Sequence, residues 1–79
     1  MSSFDLNDDN VLYGKFVFNN FIEAMEFVNK VAIVAESQQH HPDIKINYNQ
    51  VELFLSTHDA GGIVTSKDTL LAGEILKLI

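Results

Sequence analysis

Ile44-Lys45-Ile46-Asn47-Tyr48-Asn49-Gln50-Val51-Glu52-Leu53-Phe54-Leu55-Ser56-Thr57-His58 decides the architecture, because its apolar residues alternate, break at a polar pair, and alternate again. Ile44, Ile46 and Tyr48 share one parity against Lys45 and Asn47, the pattern of a half-buried strand. Asn49-Gln50 supplies a short polar turn. Val51, Leu53, Leu55 and Thr57 then oppose Glu52, Phe54, Ser56 and His58, as a returning antiparallel strand should. Parity puts His58 on the face away from Leu53 and Leu55.

Upstream, Phe21, Met25, Val28, Ala32 and Ala35 recur at helical spacing, and Phe27, Val31 and Val34 widen the stripe into that of a well-buried helix. Asn20 is the expected N-cap, with Glu23 completing a capping-box-like pattern. Pro42 disfavours helical geometry at His41, so this helix should stop near Gln39. Before it, Val11 to Phe18 reads as a strand with Leu12, Phe16 and Phe18 on one face, and Gly14 marks a bulge or a close backbone approach. Residues 1–10 are polar and acidic, expected to be a loosely ordered lead-in. Downstream, Gly61-Gly62 ends the strand pattern. Thr65 with Asp68 resembles a second N-cap start, and Leu71, Ala72, Ile75, Leu78 and Ile79 form a second helical stripe.

The order β-α-β-β-α predicts a single domain over residues 1–79. It should be an α+β two-layer sandwich, an antiparallel sheet with two helices packed on one face. Three strands leave open edges that pairing about a two-fold axis would cover, predicting a homodimer or homotetramer. A chain this short, without cysteine, also gains from assembly.

Charge excludes several functions. Lys15, Lys30, Lys45, Lys67 and Lys77 are scattered, there is no arginine, and the formal net charge is −6. No basic stripe can release counterions, so a nucleic-acid partner is not expected. The absence of cysteine removes disulfides and thiolate chemistry. The N-terminus lacks the basic and apolar regions of a signal peptide, and no apolar run is long enough to span a bilayer. A soluble, cytoplasmic protein with no membrane partner is the expectation.

All three histidines lie where regular elements should end, in Glu36-Ser37-Gln38-Gln39-His40-His41-Pro42 and Thr57-His58-Asp59-Ala60-Gly61-Gly62. Imidazole exchanges protons near neutral pH, so this concentration points to acid–base chemistry. If helical register persists, Glu36 lies one turn before His40 and can orient it. Other readings stay open. Adjacent histidines can be solvated helix-end residues. His40, His41 and His58 could bind zinc, although no familiar zinc spacing is present. Ser37 and Ser56 lack a nucleophile-elbow pattern. Thr57 can be an inward strand residue, Asp59 a turn residue, and Asp68 a helix-start residue. Tyr48 and Phe54 fit core or interface aromatics.

One long pattern orders these residues: Glu36, three residues, His40-His41-Pro42, five residues, Tyr48, nine residues, His58, nine residues, Asp68. Ser56-Thr57-His58, Ala60-Gly61-Gly62 and Phe16-Val17-Phe18 accompany it. The constellation, from Val11 to Ile75, resembles the pterin-4a-carbinolamine dehydratase family. That resemblance implies helices on one face of an antiparallel sheet and a dimer or tetramer. It further implies dehydration of a 4a-hydroxytetrahydropterin to the quinonoid dihydropterin, recycling the cofactor of aromatic amino-acid hydroxylases. Pterin would be the substrate, and no cofactor or metal would be needed. By position, His40 and His58 would be the acid/base pair, with His41 as a catalytic-site donor that mainly holds substrate. His40, His41, Pro42, Thr57, His58, Asp59 and Ala60 would contact the pterin, and Glu36 and Asp68 would support them.

Three departures from the family pattern bear on this. The helical segment that many members carry before the first strand is missing, which implies a changed oligomer. Ile44 replaces a frequent tryptophan at the site's edge, which implies weaker binding. The Gly62-Ile63-Val64-Thr65 loop is one residue longer than usual before Asp68. The alternative from another class is a non-catalytic binding, dimerisation or assembly module on the same fold. Joint retention of Glu36, His40, His41 and His58 favours catalysis.

Overall fold

The computed structural model of the chain describes residues 4–57 and 60–79. In chain order the elements are β1 (Phe4–Leu6), β2 (Leu12–Val17), α1 (Phe21–Gln38), β3 (Asp43–Asn47), β4 (Gln50–Leu55) and α2 (Ser66–Leu76). The strands form one antiparallel sheet in the order β1-β2-β4-β3. Val51, Leu53 and Leu55 share the face that also carries Phe16, and that face packs on Ala24, Phe27, Val31 and Ala35 of α1 and Leu71, Ala72 and Ile75 of α2. Both helices therefore bury against one side of the sheet, giving the expected α+β sandwich. Each fully buried Leu or Phe here contributes about 1.5–3 kcal/mol over its exposed state.

The sheet has one more strand than the sequence suggested. Phe4–Leu6 pairs with Gly14–Leu12, so part of the expected loose lead-in is ordered. The reason lies at Gly14, opposite Phe4: a Cβ there would stand 2.8 Å from the Phe4 ring. With no side chain at residue 14, the Phe4 ring lies over the backbone and meets Phe16 edge-on, with centroids 5.5 Å apart. Gly14 thus marks a close approach.

Helix α1 begins as expected. Asn20 Oδ1 accepts the Glu23 N–H at 2.9 Å, although the Glu23 carboxylate reaches back to the Asn19 N–H rather than to the cap residue. Its buried line is Ala24-Phe27-Val31-Ala35, leaving Phe21 and Ala32 on the exposed flank. The stripe is rotated from the one read in sequence because Phe27 packs between Phe16 and Phe18, with both centroid separations 5.0 Å. The β3–β4 hairpin turns at Tyr48-Asn49, one residue earlier than expected, since Asn47 pairs with Gln50. Tyr48 takes a left-handed φ of 54°, and Asn49 ties the turn to Phe18 by bonds of 2.8 Å in both directions. All of β3 is exposed rather than half-buried, because it is the sheet edge beyond the cover of α1.

Candidate active site

The C-terminus of α1 and the N-terminus of α2 build the site. Gln39 ends α1 in the left-handed region, and its N–H and that of His40 return to the Glu36 and Ala35 carbonyls. This Schellman closure reverses the chain and turns His40 back under the helix. At the other end, Thr65 caps α2 and Asp68 completes its capping box, the Thr65 N–H donating to Asp68 Oδ2 at 2.9 Å.

Asp68 is the hub. Its side chain is 0% exposed, and its Oδ1 lies 2.5 Å from His40 Nε2. Thr57 Oγ1 donates to Oδ2 at 2.8 Å and is itself 2.6 Å from Thr65 Oγ1. Burial pushes this carboxyl up, but the His40 bond, the Thr65 N–H and the Thr57 hydroxyl together outweigh it and hold the group below the usual carboxylate range. Asp68 is therefore ionised at neutral pH, a buried charge satisfied on both oxygens.

His41 points elsewhere. Its Nε2 lies 3.0 Å from Glu36 Oε2, with the two side chains 59% and 71% exposed. The hydrogen bond from His41, helped by Gln39, lowers the Glu36 carboxyl. The sequence expectation that Glu36 orients His40 is thus corrected: the left-handed turn at Gln39 breaks helical register, Glu36 serves His41, and Asp68 serves His40. Adjacent imidazoles project to different partners.

Of the remaining candidates, Thr57 is buried and its hydroxyl is committed to Asp68 and Thr65. Pro42 is partly buried. Ala60 is exposed and its N–H donates to the Thr57 carbonyl at 3.1 Å, as does that of Gly62 at 3.0 Å. Gly61 and Gly62 have φ of 84° and 79°, which folds this loop back so that Thr57 bridges Ile63. His58 and Asp59 lie outside the described residues. Among the described residues no cluster of histidine and carboxylate side chains could hold a metal ion.

A cleft of about 390 Å³ opens beside His40, lined also by Gln38, Lys67, Leu70 and Glu74. Pockets of a few hundred Å³ accommodate small heterocycles. None of those four neighbours was singled out from the sequence, and neither was Thr65 beyond its cap. The Thr65 spacing to Asp68 signalled a helix start, but nothing local announced that Thr57 would meet both.

With this geometry established, similarity to known proteins is specific. The family profile described as Pterin 4 alpha carbinolamine dehydratase matches residues 2–78. A protein of Picosynechococcus sp., provisionally named pterin-4-alpha-carbinolamine dehydratase, is 57% identical over 70 residues, 89% of this chain and 75% of its own length. A namesake from Gloeobacter violaceus is 60% identical over 60 residues, 76% of this chain and 64% of its own length. The crystal structure of a transcriptional coactivator/pterin dehydratase from Brucella melitensis superposes with a TM-score of 0.87 at 29% identity, covering 95% of this chain and 80% of that one. A profile match across nearly every residue, relatives more than half identical and a shared fold make the chain a member of the pterin 4 alpha carbinolamine dehydratase family.

Proposed function

We propose that this protein dehydrates a 4a-hydroxytetrahydropterin to the quinonoid dihydropterin and so returns the pterin to aromatic amino-acid hydroxylases. The observation that carries the reading is the His40 imidazole, held by a buried ionised carboxylate at the edge of an open cleft. In the reaction the C4a–O bond breaks and the hydroxyl leaves as water with a proton from a general acid. A general base takes the N5 proton, and the N5–H electron pair becomes the N5–C4a double bond. His40 and His58 are the acid/base pair in this reading, His58 by its place in the family pattern. His41, paired with Glu36, serves as a holding donor, and Pro42, Thr57, Asp59 and Ala60 frame the pterin. The chemistry calls for no metal, cofactor or covalent intermediate, and the cytoplasm is its proposed location.

We assign the working unit to a homo-oligomer. Edge strand β3 exposes Ile44 and Ile46, with Tyr48 exposed in the turn that follows, an open ladder suited to a second copy. The acidic surface argues against direct nucleic-acid contact, and among the described residues no helix is long and apolar enough to cross a membrane. The alternative, a binding or assembly module, draws support from the same exposed edge and from the double description of the Brucella protein.

Stopped-flow dehydration of synthetic 4a-hydroxytetrahydropterin tests the proposal. Turnover should exceed buffer, and His40→Ala should lower it on the order of 100-fold, the usual worth of a general acid or base. Wild-type turnover equal to buffer would leave only the assembly reading.

A further inference from the structure

Around Asp68 the direction of each hydrogen bond can be worked out from proton counting alone. An ionised carboxylate only accepts, so both groups at Oδ2, the Thr57 hydroxyl and the Thr65 N–H, must be donors. Thr57 has one hydroxyl proton, and Asp68 takes it. The 2.6 Å contact between Thr57 Oγ1 and Thr65 Oγ1 must then be Thr65 donating to Thr57. Thr65 has now used its own proton, so its oxygen can only accept, and it does so from the Lys67 N–H in the first turn of α2, at 3.3 Å. The chain runs one way, from the positive end of a helix through two hydroxyls to a buried carboxylate.

The same logic applies to Oδ1, where His40 Nε2 must be the donor. Neutral imidazole carries one proton, so when Nε2 holds it Nδ1 is left as the acceptor. Among the described residues Nδ1 has no hydrogen-bond partner, which makes it the ring nitrogen left for a substrate.

We infer that Thr57 and Thr65 are positioning residues: their one-way hydroxyl chain anchors Asp68 so that neutral His40 keeps its proton on Nε2 and presents Nδ1 to the substrate. The consequence for catalysis rests on the dehydratase reading. The tautomer does not, so it is tested on the free protein. A residue serving only as the N-cap of α2 would leave the His40 tautomer unchanged when replaced.

Two-bond proton–nitrogen spectra of uniformly labelled protein, recorded where the imidazoles are neutral, report which ring nitrogen carries hydrogen. His40 signals are assigned by their loss in His40→Gln. Wild type should show Nε2–H. Thr57→Val and Thr65→Val, folded by circular dichroism, should shift at least about one molecule in ten to the Nδ1–H form. Thr57→Ser and Thr65→Ser keep the donor and should retain wild-type shifts. If turnover is measurable, Thr65→Val should lose about 10-fold in kcat with little change in KM, less than the loss of His40 itself. Wild type protonated on Nδ1, or folded valine variants with unchanged shifts, would overturn the inference. Should neither valine variant fold, the wild-type hydroxyl protons decide: a slowly exchanging Thr65 proton close to Thr57 supports the chain, and a Thr65 proton lost to rapid water exchange overturns it.

Discussion

At the scale of single residues, Asp68 shows how little separates a helix cap from a functional group. Its place three residues after Thr65 signalled a helix start, and the structure has α2 begin there with Asp68 closing a capping box. The other half of its role depends on His40, 28 positions away, and Thr57, 11 positions away, and no local pattern encodes such meetings. The Glu36 error has a similar origin: helical spacing predicted a partner at His40, but one left-handed residue, Gln39, ended the register that spacing presumes. Asp68→Asn makes the hub testable. The amide can keep its oxygen on the Thr57 and Thr65 donors only by turning its NH₂ to His40 Nε2, which forces that ring's proton onto Nδ1 and replaces charge-assisted bonds by neutral ones. That exchange costs about 1 kcal/mol, measurable as a lowered urea midpoint.

Elements were legible in proportion to their length. Both helices and the β3–β4 hairpin have enough periods for apolar spacing to register, and their caps fall where Asn20 and Thr65 put them. Strand β1 has three residues and no periodicity of its own. It exists because Gly14 makes room for Phe4, and Gly14→Ala should therefore loosen it. The new Cβ would crowd the rings of Phe4 and Phe16, at 2.8 and 3.0 Å, and overpacking of this kind costs about 1–3 kcal/mol. Amide exchange should quicken at residues 4–6 while β2–β4 pairing keeps its protection; equal quickening across both would show that β1 is integral to the core. The end of α1 offers the opposite sign. Gln39 sits at φ 52°, a conformation costing a non-glycine residue about 1–2 kcal/mol, partly offset by its side-chain bond to the Glu36 carbonyl. Gln39→Gly should stabilise the fold by about 0.5 kcal/mol net, read as a raised thermal midpoint.

For the molecule as a whole, the buried Asp68 network couples the junction of sheet and helices to pH. The carboxyl titrates below its ordinary value of 3.8 in the folded state, because its donors outweigh its burial. A carboxyl whose folded value is depressed adds stability that is fully present above the unfolded value and is lost as pH falls through the folded one. The network should therefore contribute undiminished at neutral pH and fail only in acid below that value. The exposed Glu36 carboxyl shifts in the same direction, but screening by water makes its effect small. Comparing wild type with Asp68→Asn isolates the buried group, since the amide cannot ionise. Their difference in urea-unfolding free energy should stay level from neutral pH down to the ordinary carboxylate range, then narrow as acid removes the wild-type advantage. A gap that instead widened as pH fell, beginning well above 3.8, would mean that burial wins, so that Asp68 takes up its proton early and leaves His40 without its anionic anchor. The hub would then be a structural hydrogen bond with no fixed direction, and the acid that steadied the fold would disarm the site.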